Sequence, residues 1–422
     1  MNNFTAFLEE KVSGPMAKLS HQRHIRAIRD GIVSTIPFII VGSIFLILAA
    51  PPLPEGNAIR DWLLQYSGQM ILPFRVSMFI MTIYATFGIG YSLAQSYDLD
   101  GLSGGQLALL ALLLTTLPSA VEGMGWMLPL ANLGGAGLFV GMLVSIFAVE
   151  IQRFCKAKNL TIKMPDQVPP SVSRSFATII PAAIVMVIIG AITIVFGVDL
   201  HSLMIRLVSP IAVAGDSIFG ALFFTFLNSF FWSFGIHGSS VVGAIARPFW
   251  LMYSEANAAA VAAGTPLPFV APETFYQWFV YIGGSGATLG MIIAGLIVGR
   301  SKQLKALSKA CLVPGLFNIN EPVIFGMPVV LNPILMIPFI IVPLVNVLIA
   351  YTATSIGWVN ATSAIAPWTL PAPIGALIST GGDVRAVFLT LILIALSVVI
   401  YLPFVRIYDQ SLLKDERAEI TE

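Results

Sequence analysis

The sequence predicts an all-α polytopic membrane protein with about ten transmembrane helices and re-entrant hairpins, arranged in two parts. Three observations carry this. The 422 residues are 57% hydrophobic and only 10% charged, against about 25% charged in soluble domains. Apolar windows of span length recur along the whole chain. Finally, 17 of the 22 Lys and Arg residues fall in connections that lie on one side if those windows alternate across a bilayer, the asymmetry that cytoplasmic loops carry.

Residues 1–30 are polar and charged, so no cleavable signal peptide is apparent. The opening NNFTAFLEEKV places Phe4, Phe7 and Leu8 on one helical face, opposite Glu9 and Glu10. It either lies on the inner membrane surface as an interfacial helix or frays as a polar tail. A crossing helix needs roughly 20 apolar residues. Suitable windows are 31–50, 76–97, 102–121, 134–149, 175–198, 217–237, 238–255, 274–299, 331–354 and 386–405. The window at 238–255 is the weakest, because Arg247, Pro248 and Glu255 interrupt it. Basic residues cluster before the first window (Lys11 to Arg29), in the loop 153–175, after 274–299 (Arg300 to Lys309) and after the last window (Arg406, Lys414, Arg417). Both termini are then cytoplasmic.

The basic, Pro-containing loop 153–175 divides the chain. Residues 1–30 form a cytoplasmic or interfacial segment, 31–175 a membrane domain for scaffold and dimer contacts, 176–405 a membrane domain for substrate handling, and 406–422 a cytoplasmic tail. The second domain has long apolar regions broken by Pro and Gly. Broken helices are tolerated in a membrane only where they line a cavity or pack within protein, and transporter sites are built this way.

Several classes are excluded or disfavoured. A net charge of +1 points to no nucleic-acid or acidic partner. Cys155 and Cys311 lack metal or redox spacing and read as packing thiols. There is no GxxxxGK phosphate loop, no cluster of metal-ligand spacing, and no sign of a cofactor. The run GGSGATLG at 283–290 reads as close helix packing within a span.

Ionisable residues at membrane depth are functional candidates. Glu321, in NINEPVIFG, is followed by 61 residues without a charge, up to Asp383. Pro322 biases it away from helical geometry, which places it at a turn in a re-entrant segment with Asn318 and Asn320 as neighbouring donors. Burial would raise its pKa and make it a better proton acceptor near neutral pH; alternatively it caps backbone amides at the break. His237, in FFWSFGIHGSS, is flanked by Gly235 and Gly238, and its imidazole can donate to or accept from a sugar hydroxyl or simply be satisfied by packing. Glu273, with Thr274 in VAPETFYQW, either meets ligand hydroxyls or serves a helix N-terminus. Trp232 and Trp368 either stack on a sugar ring or belong to an interfacial belt. Arg247 pairs with Glu255 or with a negative group at the cytoplasmic mouth.

The motifs GIHG at 235–238, PET at 272–274 and NEPVIFGMPVVLNP at 320–333, with the N-terminal GPMAKLSHQRHIRAIRDGIVSTIPFIIVGSIFLI, resemble the membrane-embedded IIC component of bacterial sugar phosphotransferase systems, in the lactose, cellobiose and diacetylchitobiose class. The resemblance covers essentially the whole chain. It implies a homodimer in the bacterial cell membrane that imports a disaccharide. The sugar is phosphorylated on its 6-hydroxyl by a separate cytoplasmic IIB protein bearing a phosphocysteine, supplied in turn by IIA and HPr. It further implies Glu321 as general base, His237 as a hydrogen-bonding partner of the same hydroxyl region, and Glu273, Thr274 and Trp368 near the sugar. The short tail after 405 is not a fused IIB domain, so the donor comes from a partner. From residue chemistry alone, a proton-coupled sugar carrier using Glu321 as its proton site remains the alternative.

Overall fold

The computed structural model describes residues 22–421 apart from 52, 54, 163, 166, 170–172, 174, 175 and 328. The expected interfacial segment around Phe4, Phe7 and Leu8 lies outside the described residues. The architecture is mostly helical. In the first half, α1 (Arg23–Val33) starts where the Gln22 side chain accepts the Ile25 amide at 2.8 Å. A short bend leads into α2 (Ile36–Ala49), whose Pro37 sits in the first turn, where its missing N–H is not needed. Helices α3 (Ala58–Gln65), α4 (Ser67–Met78), α5 (Met81–Ser96) and α6 (Gly101–Thr115) follow. α5 and α6 meet at Gly90 and Gly104: a Cβ on Gly90 would fall 2.6 Å from the Gly104 carbonyl oxygen. Small residues permit such close approach where no hydrophobic force drives helices together.

The window 102–121 does not remain helical. Pro118 disfavours helix for the residue before it, and the chain forms a hairpin instead, β1 (Ser119–Val121) antiparallel to β2 (Gly125–Met127) with Ala120 opposite Trp126. The fold is therefore not wholly α. Helix α7 (Leu138–Ala157) completes the first half.

The second half departs further from the expected spans. α8 (Ile179–Gly190) continues through a π-helical turn, Ala191–Val195, and is joined at an 83° bend to α9 (Leu200–Asp216), a helix that the window 175–198 omitted. α10 (Ile218–Ser233) leads to α11 (Gly238–Ala263). This weakest window is a continuous helix of 26 residues, because the charges that interrupt it find partners described below. The window 274–299 is two elements: α12 (Glu273–Phe275), extended by a π-helical turn Tyr276–Val280, and α13 (Thr288–Val298). The glycine run lies at the break between them, not within a span. Gly283, Gly284 and Gly286 have φ of +83°, +103° and +84°, backbone that glycine adopts without steric cost. The run does pack closely, with Gly286 against the Phe339 ring.

The basic segment expected as a loop at 300–309 is the start of α14 (Lys302–Leu316), N-capped by Ser301. α15 (Glu321–Gly326), α16 (Pro333–Ser355) and α17 (Ala372–Ser379) precede α18 (Val384–Thr421), which runs without interruption from the last window through the expected tail. Among the described residues, five helical segments are long and apolar enough to cross a membrane, or six when the bent pair counts as one. Together with the shorter apolar helices they make this a multi-pass membrane protein.

Two core clusters belong to the second half, one of them centred on the fully buried Phe275, Tyr276, Trp278 and Phe279. Another crosses the divide: Leu251 and Ala258 of α11 and Ala364 pack with Ile32, Ile39, Leu46 and Phe74. The halves share a core.

Candidate functional site

A cavity of ≈ 640 Å³ opens among the breaks of the second half, and its walls include His237, Glu273, Thr274, Asn318, Asn320, Glu321, Trp232 and Trp368. Every residue singled out from the sequence as a site candidate is thus brought to one place. The volume lies within the range of small-molecule sites. Val33, Ile36, Pro37 and Ile40 form another wall, so the cavity is not confined to residues after 176.

Three stretches of irregular backbone meet here, and each needs its polar groups satisfied. Asparagines do this. The Asn318 side chain accepts from the Gly283 amide at 2.9 Å and donates to the carbonyls of Trp368 and Leu370 at 2.8 and 2.9 Å. Asn318 itself has φ +61°, a conformation Asn tolerates better than most residues. Asn320, buried, donates to the Ser285 carbonyl at 2.9 Å. The amides expected to be donors beside Glu321 are instead committed to backbone. The breaks at 283–287, 317–320 and 367–370 are stitched together.

Glu321 is the first residue of α15 and Pro322 occupies the first turn, where proline is compatible with helix; the turn falls just before it. Its carboxylate is exposed into the cavity and makes no hydrogen bond or ion pair with another described residue. The expected burial is therefore not met, and neither is the alternative of a carboxylate capping amides. Its availability as a proton acceptor rests on access.

His237 caps α11. Its Nδ1 accepts the Ser240 amide at 3.2 Å and lies 3.0 Å from the Ser240 hydroxyl. A backbone N–H only donates, so Nδ1 is an acceptor and the neutral ring carries its proton on Nε2. The imidazole, itself exposed to the cavity, thus presents an N–H donor. Trp232 lies against it, ring centroids 4.3 Å apart at 44°, with the indole 3% exposed. Trp368 is half exposed on the cavity wall.

Arg247 pairs with Glu273, not with Glu255. Its Nε and Nη2 donate to Glu273 Oε1 at 2.9 and 2.6 Å. The Glu273 carboxylate is thereby occupied by a guanidinium on the cavity wall rather than by the amides of α12, whose N-terminus has no side-chain cap. Glu255 accepts from the Gly135 amide of the first half. Thr274 donates to Thr362 at 2.6 Å.

Several contributors are not legible as candidates in the sequence. Asp216 accepts from the amides of Val270 and Ala271, at 3.1 and 2.7 Å from Oδ1, and so anchors the loop that delivers Glu273. Asn257 holds the same loop through both the amide and the carbonyl of Phe269, and bonds the Thr362 carbonyl. Asn228, Ser239 and Ser285 form a hydrogen-bonded cluster on the cavity wall, with separations of 3.0–3.2 Å. For Asn228 and Asn257 the signal that finds them is a polar side chain inside an apolar helix; Asp216, at a helix end, and Ser285, in a break, carry no such signal.

Residues 29–343 match the family described as Phosphotransferase system, EIIC. The lichenan permease IIC component of Bacillus subtilis is 40% identical over 434 residues, covering 99% of this chain and 96% of that protein. The cellobiose-specific EIIC component of Geobacillus stearothermophilus is 37% identical, covering 100% of this chain and 98% of its own length. Among solved structures, the transporter ChbC, the IIC component of an N,N′-diacetylchitobiose-specific phosphotransferase system, superposes with a TM-score of 0.92 at 39% identity, covering 97% of this chain and 99% of that one. With a cavity at broken helices whose walls carry both an imidazole and a carboxylate that has no partner among the described residues, and with relatives matched end to end, this chain belongs to the EIIC family of phosphotransferase-system sugar permeases.

Proposed function

We propose that this permease imports a disaccharide of the cellobiose or diacetylchitobiose type and presents its 6-hydroxyl for phosphorylation by a separate cytoplasmic IIB protein bearing a phosphocysteine, replenished by IIA and HPr. The observation that carries this is the pairing at the cavity wall of Glu321, an acceptor with no described partner, and His237, a donor. Phosphoryl transfer depends on positioning and charge, with one residue to take the proton of the attacking hydroxyl. Glu321 takes that proton; His237 Nε2–H orients the hydroxyl oxygen; Trp368 offers a face to the sugar ring, while Trp232 backs the imidazole. Thr274 and Glu273 shape the wall opposite. The protein works as a homodimer with ten crossings per protomer, re-entrant hairpins around the cavity, and both termini in the cytoplasm of a bacterial cell.

Sealed vesicles with a labelled disaccharide test this. Sugar 6-phosphate should accumulate only with phosphorylated IIB, and Glu321→Gln should abolish it while sugar binding persists. Unmodified sugar accumulating with a pH gradient, or near wild-type phosphorylation by the Gln variant, would refute it.

A further inference from the structure

We propose that Arg29, with Arg26 beside it, forms an anion-receiving site at the mouth of the cavity that takes the phosphoryl group as it passes to the sugar. This rests on the group-translocation reading above.

Residues spaced three or four apart share a helix face. Arg26, Arg29 and Val33 on α1, continued by Ile36, Pro37 and Ile40 on α2, make one such stripe. Its apolar end walls the cavity. Its basic end lines a crevice against Ser240, Val241 and Ala244 of α11. Ser240 joins the two spaces, because its hydroxyl lies 3.0 Å from His237 Nδ1. The imidazole is within electrostatic reach of both Glu321 and Arg29. The basic end belongs to the Lys- and Arg-rich stretch before the first apolar window, the side from which a phosphorylated cytoplasmic partner approaches in the proposed topology.

The charge balance favours an incoming anion. Arg29 donates through Nε and Nη2 to one oxygen of Asp30, at 2.9 and 2.8 Å, and Arg26 lies 3.6 Å from the other. Among the described residues two guanidiniums share one carboxylate, which leaves a surplus positive charge and N–H donors not taken up there. The cavity's own arginine, Arg247, is already matched by Glu273. Without another cation, transfer would bring a phosphoryl dianion to the wall that carries the Glu321 carboxyl group.

In the step itself, the S–P bond of the partner's phosphocysteine breaks and the O6–P bond forms. The hydroxyl proton passes to Glu321, and the thiolate leaves with IIB. Arg29 balances the charge on the equatorial oxygens, for which its planar fork is suited. Arg26, 63% exposed, meets the phosphate as it departs.

The test compares equilibrium binding of cellobiose, diacetylchitobiose or lactose, whichever binds best, with binding of its 6-phosphate, in purified protein. In Arg29→Gln, sugar affinity should stay within about twofold while 6-phosphate affinity falls about 10- to 100-fold. IIB-dependent transfer should fall about 100-fold, and Arg29→Lys, which keeps the charge but not the planar fork, should recover only part of both losses. An unchanged ratio of the two affinities, or a parallel loss of both, would overturn the site. Glu321→Gln separates the readings: it should raise 6-phosphate affinity by removing a like charge. If it keeps normal transfer, the general-base reading fails, while the Arg29 affinity ratio, which involves no transfer, still decides the anion site.

Discussion

Replacing Asn318 separates backbone strain from cross-linking at the point where the cavity is held together. Asn318→Gly keeps the left-handed backbone but removes three hydrogen bonds, to the Gly283 amide and to the Trp368 and Leu370 carbonyls. Each such bond nets about 1 kcal/mol, and a group left unsatisfied costs about 1–3 kcal/mol. Asn318 is only partly buried, so water from the cavity reaches some of the released groups and the total falls at the low end, about 2–4 kcal/mol. Asn318→Ala adds the cost of a Cβ at φ +61°, about 1–2 kcal/mol more. The expected order of stability is wild type, then Gly, then Ala, read by thermal unfolding in detergent. Sugar affinity should fall with the Gly variant as well, because the break carrying Glu321 loses its tie to the Trp368 loop. A Gly variant as stable as wild type would refute the clamp, and an Ala variant equal to Gly would refute the assigned backbone cost.

His237→Ala should weaken sugar binding and turnover together, since it removes both the Nε2–H donor and the cap on α11 (about 1 kcal/mol of helix stability); unchanged apparent affinity in a binding titration would count against a sugar contact. Arg247→Met should destabilise the protein by about 1.5–3 kcal/mol, because Glu273 would be left unpaired on the cavity wall, and adding Glu273→Gln should recover part of that loss in a double-mutant cycle. For Asp383, burial works to raise the carboxyl pKa, but the Arg385 side chain and the amides of Asn360 and Arg385 outweigh it and hold it below the usual carboxylate range. A depressed folded-state pKa stabilises above the unfolded value of about 3.9 and loses that contribution as pH falls through the lower folded value. Melting temperature should therefore drop more steeply below about pH 4 in wild type than in Asp383→Asn, and parallel curves would refute it.

The centre of the site was legible because a lone carboxylate and a lone imidazole in apolar surroundings have few other reasons to be there. Their partners were less legible. The ion pair of Arg247 spans the loop between α11 and α12 to reach Glu273, and periodicity carries no information across a loop. Asp216 falls at a helix end on the margin of an apolar window, where an acid looks ordinary, yet it anchors the loop behind the PET motif. The fold shows the same pattern. Long uninterrupted spans such as α16 and α7 were evident from composition. The basic first turns of α14 read as a loop by composition, although Ser301 supplies an N-cap. The glycine run was read as packing within a helix because hydropathy does not register the positive φ values that break it.

The stitching by Asn318 and Asn320 bears on movement. Three interruptions joined by side-chain amides have no separate freedom, so one cannot flex without dragging the others. That wall of the cavity must shift as a single block or not at all. Pliancy for changing sides is then displaced to joints outside this stitching, and the 83° elbow between α8 and α9 is one of these.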